Sequence, residues 1–396
     1  MLKKTLFGFA ILLALLAALG CYMWFFEQTT HSIPEGQPRQ ILASDDAIIN
    51  SIRKGVEYLK LYQEKDGEFS KGMLDPKPAV TALIVDALVR SPEHYSDIQH
   101  PFIQKAVQTI LLHQQRDGSI CTPSIGLETY CTAVSLMALT ALENPAYATN
   151  IEKAKNYLIS VQYKDDEGDL NAGGAGYNKG GRVSGDVTAN WVEALKSAGV
   201  KEGDPAFKNA EKFFARLQNN SETNLQPATG TEVGKDGGFF YRPGESKAKP
   251  EIGKTGKRIP KSYGLMSYAG LKSFLYMSMK KDDPRVVSAF KWVQDNYTLE
   301  ENRNIGADGL YYYFLTMAKA LAAYGEPNIT TADGKIHPWA KELSERLIRL
   351  QKPDGSWQND HSSRWKEDDS VLVSGFAIRT LSICHEAIST MNKGLK

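Results

Sequence analysis

Cysteine is scarce in this chain: four in 396 residues, with no Cys-x-x-Cys pair. That excludes a zinc ribbon and a dense disulfide framework. Histidine is scarce too, and His94, His100, His113, His337, His361 and His385 are scattered with no metal-ligand spacing on one helix, so no metal and no cofactor is implied. Charge is balanced at a formal +1, with no basic stripe interleaved with aromatics, which argues against nucleic acid as a partner. The Gly-rich string Asn171–Tyr177 lacks the Gly-Lys-Ser/Thr ending and the preceding strand of a phosphate loop. It reads instead as an irregular loop over a cavity mouth.

One long uncharged run is present. Leu6 to Phe26 carries no charge, follows Lys3 and Lys4, and ends in Tyr22, Trp24, Phe25 and Phe26. A helix of about 21 residues at ~1.5 Å each spans roughly the bilayer core. Residues 1–28 are therefore expected to be a transmembrane signal anchor, a lipoprotein signal or a cleaved signal. Ala18-Leu19-Gly20-Cys21 resembles a lipobox and makes Cys21 the lipidation candidate. All three readings place the remainder outside the cytoplasm, tethered to or released from a membrane. Residues 29–45 read as a linker, 46–390 as the folded body and 391–396 as a tail. In an oxidising compartment Cys121 and Cys131 would either pair or stay as buried thiols.

The body is repetitive. Lys54-Gly55, Tyr58-Leu59 and Gln63 precede Asp66-Gly67 and Phe69; Lys105-Ala106 and Gln114 precede Asp117-Gly118; Leu347 and Gln351 precede Asp354-Gly355 and Trp357. Weaker copies run from Lys153-Ala154 through Gln162 to Gly168, from Asn209-Ala210 through Gln218 to Asp236-Gly237, and from Ser288-Ala289 to Asp308-Gly309. Each copy is an amphipathic helix stopped by an Asp-Gly turn. A nearly uncharged helix follows each turn: Pro78 to Arg90, Glu128 to Glu143, Asp186 to Ala198, Tyr263 to Met279, Leu310 to Tyr324, and Asp369 to Ile388. A helix that is apolar all round has to be buried. Six such pairs, with no polar capping repeats, predict closure into two concentric rings and no sheet between Asp46 and Met391.

The Lys-Gly/Ala, aromatic-aliphatic, Gln, Gly and Trp spacing resembles the QW motif of the squalene cyclase and protein prenyltransferase repeat family. It is closest in the first, second and sixth copies, at Gln63, Gly67, Phe69, Gln114, Gly118, Gln351, Gly355 and Trp357. The resemblance implies an all-α (α/α)6 toroid, with structural roles for those residues. Of the cyclases' Asp-x-Asp-Asp-Thr acid motif, the string Lys366-Glu367-Asp368-Asp369-Ser370 keeps Asp368 and Asp369 as catalytic candidates, with Lys366 in place of the first Asp. A helix-capping role for the same pair is the alternative.

Inner-helix N-termini converging on one face suit an anion. The expected binding residues are Glu128, Asp186, Trp191, Tyr263, Tyr268, Tyr311 and Tyr312, with Arg182 and Lys261 from basic insertions that also carry Lys179, Lys254, Lys257 and Arg258. The functional expectation is an apolar or isoprenoid-type lipid ligand in the ring. The alternatives are a non-catalytic protein- or glycan-binding scaffold, or a polysaccharide-active toroid with paired acids among Glu128, Asp186 and Asp369.

Overall fold

The structure is a computed structural model that describes residues 45–70, 78–123, 125–164 and 168–394. The apolar run, Cys21 and the linker lie outside the described residues.

Twelve α-helices make up the described body. The outer set is α1 (Asp45–Lys60), α3 (Pro101–Leu112), α5 (Ala148–Ser160), α7 (Pro205–Leu217), α9 (Pro284–Asn296) and α11 (Trp339–Leu350). The inner set is α2 (Ala79–Val89), α4 (Glu128–Ala141), α6 (Gly185–Ser197), α8 (Gly264–Tyr276), α10 (Leu310–Tyr324) and α12 (Ser370–Gly394). Each inner helix packs on the inner helices before and after it, and α12 packs on α2, so the ring is closed. The outer ring closes in the same place, where α1 meets α11 and α12. The last helix continues to Gly394, past the expected boundary at 390, and residues 391–394 are helix rather than tail. By length and composition α12 would cross a membrane, yet most of it is buried as the sixth inner helix.

Local sequence explains where the outer helices begin. Asp204-Pro205 and Asp283-Pro284 each place a carboxylate to accept a backbone N–H two residues on (Ala206 N and Arg285 N, 2.9 Å each), with proline at the first helical position. Their ends are joined by the repeat glutamines. The Gln63 amide donates to Gly67 O (3.1 Å) in its own turn and to Phe102 O (2.7 Å) on the next outer helix. Gln114, Gln162, Gln218 and Gln351 each make the same pair of bonds. The fifth joint has no such glutamine. There the Tyr297 hydroxyl donates to Glu342 on α11 (3.0 Å).

The turn glycines lie against the neighbouring helix. Gly67 has φ +97°, and a Cβ there would fall 2.5 Å from Lys105 O. Gly118, Gly173, Gly237 and Gly355 meet Lys153 O, Asn209 O, Ser288 O and Lys54 O in the same way. The repeat's Lys-Ala step and its Asp-Gly turn are therefore two sides of one contact, made between consecutive copies. An inner-helix hydroxyl holds the other end of each turn. Thr81, Thr132, Thr188, Ser267 and Ser374 accept the backbone N–H of Phe69, Ile120, Ala175, Phe239 and Trp357, at 2.9–3.1 Å.

Two expectations are corrected here. The third turn glycine is Gly173, which meets Asn209 O, whereas Gly168 has nothing among the described residues within 4 Å of an added Cβ. The Gly-rich string is accordingly the third hairpin turn, and its final residue, Tyr177, lines a cavity. A sheet-free body is also not found: two-residue ribbons pair Glu251–Ile252 with Arg258–Ile259 and Ile329–Thr330 with Ile336–His337. Both lie in connections between helices, where they leave the rings unchanged. Cys121, Cys131 and Cys384 are free and buried.

Candidate functional site: the lumen of the inner ring

The first turns of the inner helices surround a cavity of about 280 Å³. Its wall is aliphatic over Ala79, Val80, Leu83, Leu127, Val187, Leu265 and Leu372, and aromatic over Tyr130, Tyr177, Tyr312, Trp365 and Phe376. The polar groups on it are few: Asp186, Asn190, Lys366, Glu367 and the tyrosine hydroxyls. The Asn190 amide donates to Tyr312 OH (2.8 Å), a bond from α6 to α10 across the lumen, since these helices are not ring neighbours. Burial pushes the Tyr130, Tyr177 and Tyr312 phenols well above their usual range, so they stand as neutral hydroxyls.

Two carboxyls meet the cavity. Asp186 Oδ1 accepts from Ser184 Oγ (2.5 Å) and Val187 N (2.8 Å) in the first turn of α6. Glu367 is fully buried in the connection before α12. Its carboxylate accepts from Tyr312 N (2.8 Å), Tyr311 N (3.3 Å) and Asn359 Nδ2 (2.8 Å), capping the start of α10. Burial outweighs these donors and raises its pKa to about 7. Such a group exchanges protons at neutral pH, but it is far too weak an acid to protonate a bare alkene.

Around Trp365 and Tyr241 lies an aromatic and basic cluster. Lys247 Nζ sits 4.2 Å from the Tyr241 ring centre and 4.6 Å from that of Trp365, and it makes no ion pair among the described residues. Burial lowers its pKa, opposed by Asp186. Arg182 approaches the same Tyr241 ring (5.4 Å) and pairs with Glu245 (3.1 Å). Arg364 lies 5.1 Å from the Trp365 ring and pairs with Asp308 (2.8 Å). Trp365 and Lys366 hold consecutive positive φ values, 56° and 65°, a strained non-glycine pair at the cavity wall.

Deeper in the ring, five inner helices each contribute one charge, eight to ten residues from their starts: Asp86, Glu193, Lys272, Lys319 and Arg379. Glu193 accepts Lys272 and Lys319 at 2.6 Å each, with all three side chains nearly buried. Burial alone would raise the Glu193 pKa, but the two ammonium groups hold it well below the usual carboxylate range. At ~1.5 Å rise per residue this charged layer lies roughly 5 Å beyond Asn190 and Phe376, wall residues one turn earlier on α6 and α12.

Of the residues expected to bind, only Asp186 and Tyr312 line the cavity, and Arg182 lies beside the Tyr241 ring. Trp191 is packed between the rings, its Nε1 donating to Leu158 O (2.6 Å). Tyr263, Tyr268 and Tyr311 are buried but do not line the cavity, Lys261 pairs with Glu251 (2.9 Å), and Glu128 opens α4 without reaching the lumen. Asp368 is exposed, while Asp369 is buried and accepts Val371 N (2.8 Å) at the start of α12. The sequence reading missed Tyr130, Asn190, Lys247, Trp365, Glu367 and the charged layer. Lone charges inside otherwise apolar helices were the available signal for that layer.

No protein-family description and no curated sequence matches the chain. Solved structures do match. The type II terpene cyclase MstE from Scytonema aligns over 87% of this chain and 99% of its own, at 12% identity and TM-score 0.54. The fold is an α/α toroid. The same toroid is shared with a family 76 glycoside hydrolase from a bovine Bacteroides thetaiotaomicron strain (10% identity, TM-score 0.56, 87% of this chain and 78% of that one). A polysaccharide lyase aligns at 9% identity and TM-score 0.50, over 88% and 99% of the two chains. At these identities the likeness concerns the toroid alone.

Proposed function

We propose that this toroid binds a small amphiphile, with an apolar or isoprenoid-type group in the lumen and an anionic end at Lys247. The carrying observation is the pairing of an aromatic and aliphatic cavity with a lysine that lies against both Tyr241 and Trp365, the latter a residue of the cavity wall. MstE in complex with geranylgeranyl dihydroxybenzoate, its substrate, uses a toroid of the same kind (TM-score 0.52). The lumen here takes less. At ~30 Å³ per heavy atom, the liquid-water share, 280 Å³ holds roughly nine heavy atoms. That is the size of two isoprene units or one substituted ring.

Binding is favoured over cyclisation because Glu367, the fully buried acid on the wall, titrates at about 7, far too weak an acid to protonate an alkene. In this reading residues 1–28 tether the ring at a membrane surface, outside the cytoplasm. Titration of Trp fluorescence with geranyl monophosphate and with geraniol tests the proposal. The phosphate ester should bind, geraniol should bind at least tenfold more weakly, and Trp365→Phe should remove most of the signal. No saturable signal with either probe, or equal signals after Val187→Trp fills the lumen, would overturn it.

A further inference from the structure

The opposite face of the ring carries a second and larger groove, about 860 Å³, over the C-terminal ends of α2, α4 and α12. Arg90 and Arg379 line it, together with the hydroxyls of Ser382, Ser389 and Thr390. Both guanidiniums lean on a single acid. Arg90 Nε donates to Asp86 Oδ1 (2.8 Å), and Arg379 Nε lies 3.4 Å from Asp86 Oδ2 without hydrogen-bond geometry. Arg379 is only 16% exposed, and its Nε is sealed from solvent with no hydrogen-bond partner among the described residues. The sealed Nε is out of a ligand's reach, but the two terminal nitrogens of Arg379 are not sealed and carry four of the guanidinium's five N–H donors.

The imbalance extends inward. Tyr276 feels the charges of Glu193, Arg379, Arg90 and Asp86 together, so the groove and the charged layer form one electrostatic cluster. It holds four cations (Arg90, Arg379, Lys272, Lys319) against two anions (Asp86, Glu193). The inner-helix C-termini offset part of this excess through their dipoles. Glu143 and Glu386 also border the groove, but both are exposed at its rim, where solvent screens them.

We propose that this groove binds the phosphate group of a polar ligand, with Arg379 and Arg90 as its donors. A tetrahedral oxyanion satisfies the forked guanidinium geometry and neutralises the excess charge, and the remaining volume leaves room for the hydroxylated body the phosphate belongs to. This site is separate from the lumen and does not depend on what the lumen holds.

The test uses inorganic phosphate as the probe, at ionic strength held constant with chloride, followed by thermal unfolding and by phosphorus NMR line broadening. Wild-type protein should show a saturable rise in melting temperature. Arg379→Gln and Arg90→Gln should each weaken the apparent affinity by about tenfold or more. Arg90 is exposed, so its variant decides the question even if the Arg379 variant fails to fold. Absence of a saturable effect in the wild type, or unchanged affinity in Arg90→Gln, would overturn the proposal.

Discussion

The indole of Trp357, in the turn of the sixth hairpin, packs on Gly55 of the first helix so closely that a Cβ at position 55 would lie 2.7 Å from its ring. Beside it the Gln351 amide donates to Ser51 O (2.9 Å), joining residues 300 positions apart. These contacts close the ring. Gly55→Ala forces the indole or Ile378 to move, and is expected to cost about 1–3 kcal/mol, as overpacking does. Urea unfolding of the variant against wild type measures it. An unchanged midpoint would mean that the closure is looser than described here.

Gln351→Ala should destabilise by a similar route. The amide makes two donor bonds and accepts one from Ser51 Oγ (2.8 Å), so truncation leaves carbonyls and a hydroxyl unsatisfied in a half-buried joint. A loss of roughly 1–3 kcal/mol is expected. The fifth joint offers the comparison: Tyr297→Phe removes one bond, to Glu342, and should cost less, about 1 kcal/mol, in the same assay.

Glu367 makes stability depend on pH in a defined direction. Its folded pKa, about 7, is raised above the ordinary 4.5, so the native state holds the proton more tightly than the unfolded chain. The stabilisation is complete below pH 4.5 and is lost as pH rises through 7. At ~1.4 kcal/mol per tenfold it amounts to about 3 kcal/mol. Denaturation of Glu367→Gln at pH 4.5 and 7.5 should show a smaller fall between the two than wild type shows. Equal falls would remove Glu367 from this role.

The charged layer predicts an asymmetry between its members. Removing Glu193 strands two buried ammonium groups, and Glu193→Gln is expected to lose about 3–5 kcal/mol. Lys319→Met leaves Glu193 paired with Lys272 and removes one excess charge, so its effect should be small or stabilising. Chemical unfolding of both variants checks the ordering.

The sequence carried the ring more openly than it carried the site. Repeating Gln and Asp-Gly punctuation marks hairpins because five of the turn glycines meet the next outer helix's carbonyl, while the fifth turn's Gly309 meets the Trp365 ring instead. The third turn was misplaced because the acidic insertion before Gly168 shifts the spacing, and the backbone contact falls at Gly173 instead. The lumen was harder to read because the inner helices are apolar on every side. Periodicity therefore cannot tell a tyrosine facing the cavity, such as Tyr130 or Tyr312, from one buried elsewhere, such as Tyr268 or Tyr313. Lys247, Trp365 and Glu367 come from connections, whose course is set by tertiary contacts rather than by local pattern.

The most direct measurement is native mass spectrometry of the protein purified from membranes, beside a Val187→Trp variant whose indole fills the lumen. An amphiphile in the lumen predicts a wild-type adduct with an anionic end and an apolar part of roughly nine heavy atoms, released on unfolding and missing from the variant. Wild-type protein that carries no adduct and takes up no added geranyl monophosphate, or an adduct retained unchanged by Val187→Trp, would contradict it.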